Sequence, residues 1–177
     1  GHILSVFLED DPPEFPFCAL LASGGHTAIY YVTAFTEIER MGQTRDDAAG
    51  EAYDKVAKVL GLGYPGGKAI DDLAHQGDPS RIPFKRPFLD PNSFDFSFSG
   101  IKSAVNRMAQ NQPEMTASQV ADVVAGFQEA VVDVLTHKLM HAAREKDCGH
   151  VVVVGGVAAN RRLRECMHQS GAEQGVA

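Results

Sequence analysis

The chain carries only three cysteines, Cys18, Cys148 and Cys166, and no pair of them stands in a C-x-x-C spacing. A disulfide framework and a structural zinc site are therefore not written into it, and such cysteine usage suits a reducing cytosol. No apolar run approaches the ~18–20 residues that would span a bilayer. A secretory leader is not expected either: the opening Gly-His-Ile-Leu-Ser-Val-Phe-Leu-Glu-Asp has neither a basic region nor a cleavage site. Positive charge is scarce. Sixteen Lys and Arg stand against 23 Asp and Glu, a net charge of −7, so the chain is not an obvious electrostatic partner for nucleic acid. An initiator Met is also absent, and the chain is expected to be a piece of something longer. No internal repeat or low-complexity tract is visible.

What is present is ordinary globular material. With 44% hydrophobic and 22% charged residues, 177 residues suffice for one sizeable core, and a single domain over 1–177 is expected. An acidic, proline-rich loop spans Glu9 to Pro16. Phe17 to Ala22 and Ala28 to Phe35 read as adjacent antiparallel strands around Ser23-Gly24-Gly25-His26-Thr27. The spacing of Ala49, Ala52, Tyr53, Val56, Val59 and Leu60 predicts a helix from Asp46 to about Leu60, with Asp46 and Asp47 at its positive end. A short helix follows from about Lys68 to His75, then an irregular excursion over Gly77 to Ser97. Ser99-Gly100 opens a helix to about Gln110, and Thr116 or Ser118 caps the longest one, to about Lys146. His150 to Val154 is a β-branched run, the sign of a buried strand. Gly155-Gly156 ends it, and Asn160 starts a final helix. The fold class is α/β.

Each glycine turn has an ordinary meaning beside a functional one. Ser23-Gly24-Gly25 can be a plain hairpin connection, or a nest of backbone N–H groups for phosphate or carboxylate oxygens. VVVVGGVAAN, Val151 to Asn160, places a helix start after a buried strand, the geometry that points amides at a ligand. It is neither G-x-G-x-x-G nor a Walker-A pattern, so neither a dinucleotide fold nor a P-loop is supported. Asn160 can cap its helix or contact a ligand. On the first helix, Glu51 and Lys55 can be an i,i+4 pair, while Asp54 can face a cleft and bind ribose hydroxyls. Gly66-Gly67 would let backbone approach the same ligand. Phe94, Phe96 and Phe98 read as core; Ser97, Ser99 and Lys102 can face a substrate. His137 and His141 stand four apart with no Glu in an H-E-x-x-H pattern, and a solvated helix face is the commoner meaning. No nucleophile arrangement of the Ser-His-Asp or Cys-His kind can be assigned.

Taken in order, Leu21–Thr27 (LASGGHT), Asp46–Lys55 (DDAAGEAYDK), Gly61–Gly67 (GLGYPGG), Asp95–Lys102 (DFSFSGIK) and Val154–Asn160 (VGGVAAN) are far more specific than any one alone. This set strongly resembles the TsaD family, the tRNA N6-adenosine threonylcarbamoyltransferases, formerly described as O-sialoglycoprotein endopeptidases. The resemblance implies the actin-like ATPase fold of the sugar kinase and Hsp70 superfamily, two lobes around a nucleotide cleft, with this chain most of the second lobe. It implies transfer of a threonylcarbamoyl group from threonylcarbamoyl-AMP to N6 of adenosine 37 in tRNAs reading ANN codons. Leu21, Ala22, Ser23, Gly24 and Gly25 then resemble the loop contacting the donor's phosphate and threonylcarbamoyl part. Asp54, Gly67 and Asp71 resemble the ribose- and adenine-side contacts, and Asn160 the contact in the last glycine loop.

The family's single metal ion, iron or zinc, is held by two histidines of an H-x-E-G-H motif and an Asp of a D-N-G-A motif. Only His2 of this chain matches, as the second histidine; the other ligands would lie upstream of Gly1 and beyond Ala177. Negligible stable metal binding, and no transferase activity, are expected of this chain alone. The resemblance also implies tRNA and accessory proteins as partners, a cytoplasmic location and no membrane. A metal-dependent glycoprotease and a catalytically silent nucleotide-binding interaction module are the alternatives. Arg81, Lys85, Arg86, Lys102 and Arg107 can form a basic face for tRNA, although a solvated surface is the more common explanation.

Overall fold

The computed structural model describes residues 1–177. Four strands form one mixed sheet: β1 (Phe17–Ala22), β2 (Thr27–Ala34), β3 (Glu37–Gln43) and β4 (His150–Val154), in the spatial order β3-β2-β1-β4. β1 pairs antiparallel with β2, from Phe17 opposite Val32 to Ala22 opposite Thr27, as the two apolar runs predict. It pairs parallel with β4, with Cys18 opposite Val151. β3 was not legible as a strand. Its Glu-Ile-Glu-Arg-Met-Gly-Gln lies at the sheet's edge with its first four residues exposed, so burial never shaped its composition.

Side chains alternate across β1. Cys18, Leu20 and Ala22 enter the main core, while Phe17 and Ala19 face the other way. On that second face they join Val32 and are covered by Ile3, Val6, Phe7 and Phe15 from the N-terminal segment. The acidic, proline-rich stretch thus leads into an aromatic cluster, with the Phe15 and Phe17 rings 5.7 Å apart.

Five helices follow: α1 (Ala49–Val59), α2 (Gly66–Ala74), α3 (Ser99–Asn111), α4 (Ala117–Glu145) and α5 (Arg161–Gln174). α4 is the backbone of the core. Thr116 caps it, its hydroxyl accepting from the Gln119 N–H at 3.2 Å and Gln119 bonding back to the Thr116 N–H at 2.8 Å. Its Val124, Phe127, Val131, Leu135 and Leu139 are fully buried, each worth about 1.5–3 kcal/mol against exposure. Tyr53 of α1 meets Phe127 edge-on at 5.1 Å.

Asp46 and Asp47 do not start α1 as the dipole argument expects. The N-cap is Ala48, and Glu51 closes the end by accepting the Ala48 N–H at 3.3 Å. Asp46 instead reaches the start of α3: it accepts from the Phe98 N–H at 2.8 Å, from the N–H and hydroxyl of Ser99, and from the Ser97 hydroxyl. Asp47 pairs with Lys55 at 2.9 Å and Lys102 at 2.7 Å. Burial alone would raise both carboxyls. The hydrogen bonds to Asp46, and the two lysines beside Asp47, outweigh it and hold both below the usual carboxylate range. Ser97, Ser99 and Lys102 therefore tie α3 to the start of α1. Phe96 and Phe98 are fully buried beneath them.

Candidate functional site

A parallel pair of strands releases both of its chains at the same end. β1 runs out into Ser23-Gly24 and β4 into Gly155-Gly156 side by side, because Leu21 is opposite Val154. In open α/β sheets this carboxyl end is where ligands bind. The glycines make the approach possible. Gly155 has φ +99°, and a Cβ there would stand 2.3 Å from the Ala22 carbonyl oxygen. α1 begins against the first turn, the Gly50 N–H bonding to the Ser23 carbonyl at 3.0 Å. α2 packs on α1 through Gly66, whose N–H donates to Asp54 Oδ1 at 2.9 Å.

These contacts leave a cleft of about 750 Å3, floored by Gly24, Gly50 and Gly156 and walled by Tyr53, Asp54, Tyr64, Gly67, Asp71, Asn160 and Arg161, among others. Of the residues singled out from the sequence, the structure brings Gly24, Asp54, Gly67, Asp71 and Asn160 together here. Leu21, Ala22, Ser23 and Gly25 flank Gly24 without lining the cleft; the Ser23 hydroxyl is occupied in closing the turn, accepting from the His26 N–H at 3.1 Å. The Gly24 N–H is used by no hydrogen bond within the chain. Gly66 and Gly67 separate in role. A Cβ on Gly66 would meet the Asp54 Cα and Tyr53 carbonyl at 2.7 Å, whereas Gly67 has open space before it.

The polar groups of the cleft are directional. Asp71, 8% exposed, accepts from the Arg161 side chain at 3.1 Å through Oδ2, while its buried Oδ1 has no hydrogen-bond partner. Arg161 also reaches Asp72 at 2.8 Å. Asn160 is the N-cap of α5, its Oδ1 accepting from the Leu163 N–H at 2.9 Å, and it faces the cleft as well. Of the two meanings of that residue, the cap is the one observed. No Ser, Cys or His lines the cleft, so neither a Ser-His-Asp nor a Cys-His arrangement faces it. Sequence reasoning missed Gly50, Tyr53, Tyr64, Lys68, Asp72 and Arg161. Tyr53 offered one signal: a tyrosine on an apolar face needs a partner for its hydroxyl.

Several other candidates have structural partners. The His137 ring lies 4.9 Å from Phe88 and that of His141 5.0 Å from Phe94, so both seat the irregular loop on α4. Burial, then the nearby Arg144, His141 and Lys138, push the His137 imidazole below its usual value. Of the five basic residues, Arg81 is near Asp78 and Asp122, Arg86 pairs with Asp133 and Lys102 with Asp47. Cys18 and Cys148 are buried with their sulfurs 3.7 Å apart, and burial pushes the Cys18 thiol far up. His2 is exposed in the first turn, and no group of three or more His, Cys, Asp or Glu is arranged to hold a metal ion. No helix is long and apolar enough to cross a membrane.

A family model described as TsaD, tRNA N6-adenosine threonylcarbamoyltransferase, matches residues 1–177. A curated relative of that name from Desulforapulum autotrophicum is 56% identical over 177 residues, covering 100% of this chain and 53% of the relative. One from Desulfotalea psychrophila is 52% identical, covering 93% of this chain and 49% of the relative. One from Geobacter metallireducens is 51% identical, covering 99% and 52%. The chain spans about half the length of the curated relatives it matches.

Proposed function

The chain belongs to the TsaD family, the tRNA N6-adenosine threonylcarbamoyltransferases, and from that premise we propose that its cleft holds the adenylate half of a threonylcarbamoyl-AMP donor. The observation that carries the reading is the meeting of Gly24, Asp54, Gly67, Asp71 and Asn160 at one end of the β1–β4 pair. The free Gly24 N–H and the Gly67 and Lys68 amides in the first turn of α2 suit anionic and carbonyl oxygens. Asp54 and Asp71 supply acceptors for ribose hydroxyls and a purine amino group, and Gly67 leaves room for the sugar to lie against backbone. Leu21, Ala22, Ser23 and Gly25 act by holding that turn.

The reaction is acyl transfer. The N6 amine of a tRNA adenosine attacks the carbamoyl carbon of the mixed anhydride. A C–N bond forms, the bond from that carbon to the phosphate oxygen breaks, the amine loses a proton, and AMP leaves. Binding the adenylate by its sugar and base fixes the carbonyl for attack, and amides aimed at the developing negative charge lower the barrier. This chain's residues do not fit the family's metal ion by themselves, since no group of three or more His, Cys, Asp or Glu, with His2 or without it, is arranged to hold one; no step here is routed through it. In this reading the chain is one domain, most of the second lobe of an actin-like enzyme that acts in the cytoplasm with tRNA and accessory proteins.

The test supplies the protein at its full natural length with its accessory proteins, threonylcarbamoyl-AMP and tRNA and analyses the digested nucleosides by mass spectrometry. Modified adenosine is expected, and Asp54→Ala is expected to lower its yield at least tenfold. Unmodified tRNA under conditions where the protein is folded would contradict the proposal. For the 177-residue chain alone, iron or zinc after dialysis is expected well below one ion per chain.

A further inference from the structure

We propose that Gln128 is a positioning residue for the cleft: through one side-chain oxygen it sets which groups of Asn160 and Tyr53 the ligand meets. The inference rests on the adenylate reading given above. Gln128 stands midway along α4 among Val124, Phe127 and Val131, and is 4% exposed. A primary amide in such surroundings is costly unless its polar atoms are used. Its Oε1 accepts from Asn160 Nδ2 at 2.7 Å and faces the Tyr53 hydroxyl at 3.4 Å. Both of those residues line the cleft; Gln128 does not.

The consequence lies in the orientation of the Asn160 amide. Its Oδ1 is committed to the Leu163 N–H and one Nδ2 hydrogen to Gln128. A flipped amide would set two donors together at Leu163 and two acceptors together at Gln128, so the orientation is locked. One Nδ2 hydrogen remains. Asn160 therefore meets a ligand as a donor, opposite in kind to the acceptors Asp54 and Asp71. That suits a ribose oxygen or a ring nitrogen of the base.

The test is calorimetric titration of AMP into the protein at its full natural length, as a double-mutant cycle. Asn160→Ser keeps a hydroxyl cap for α5 but removes the amide. Gln128→Leu and Asn160→Ser are each expected to weaken AMP binding about tenfold, and the double variant also about tenfold rather than about a hundredfold, because both break one device. Gln128→Glu, which keeps an acceptor oxygen, is expected to remain within about threefold of the unaltered protein. A merely structural role would give neither the non-additivity nor the rescue. Unchanged affinity in Gln128→Leu, or a double variant at the product of the singles, would overturn the inference. Absence of AMP binding in the unaltered protein would instead overturn the adenylate reading, and the inference with it.

Discussion

Asp46 shows how much one exposed carboxylate can organise. It gathers donors from Ser97, Phe98 and Ser99 and so fixes where α3 begins relative to α1. Because its folded-state pKa is depressed, its contribution is present above the unfolded value of about 4 and is lost as pH falls through the lower folded value. Asp46→Asn is expected to cost about 1–3 kcal/mol near neutrality. The gap should close in acid, where Asp46 itself becomes protonated; urea melts between about pH 7 and 2 check both limits. A constant gap at all pH would contradict this. The adjacent glycines make a second residue-scale contrast. Gly66→Ala drives a methyl into α1 backbone and is expected to lower stability by more than about 1 kcal/mol. Gly67→Ala meets open space, so its thermal midpoint should hold while AMP affinity falls.

At the scale of elements, the junction of β1 and β4 is the part least able to change. Gly155→Ala combines a positive φ with a 2.3 Å approach to the Ala22 carbonyl. It is expected to destabilise by more than about 2 kcal/mol and to weaken AMP binding, read by denaturant melting and calorimetry on the same sample. Elements with strong periodicity were legible: β1, β2, β4 and α4 fall within a residue or two of where spacing puts them. β3 was hidden because an exposed edge strand has no apolar alternation to reveal it. Legibility of the cleft followed the same logic. Glycine turns announce themselves in sequence, and Gly24, Gly67 and Asn160 could be found from them. Tyr64, Lys68 and Arg161 enter the cleft only through the packing of α2 against the start of α5, which no local pattern encodes. Asp46 was assigned to the wrong helix end because its partners lie some 50 positions further along the chain.

For the whole molecule, one helix-backed core supports a single sheet whose parallel pair opens onto one polar cleft. The net charge of −7 belongs to a chain about half as long as its relatives, so it does not describe the charge of a protein of their length. The central claim is that the cleft between Gly24 and Asn160 receives an adenylate. An amide-resolved NMR titration of the isotopically labelled chain with AMP tests it most directly. The account predicts saturable shifts at Gly24, Gly50, Gly67, Gly156 and Arg161, and none at Phe88, Arg144 or Ser170 in the groove between α4 and α5. Shifts confined to that groove, or no shifts in a folded spectrum, would contradict it.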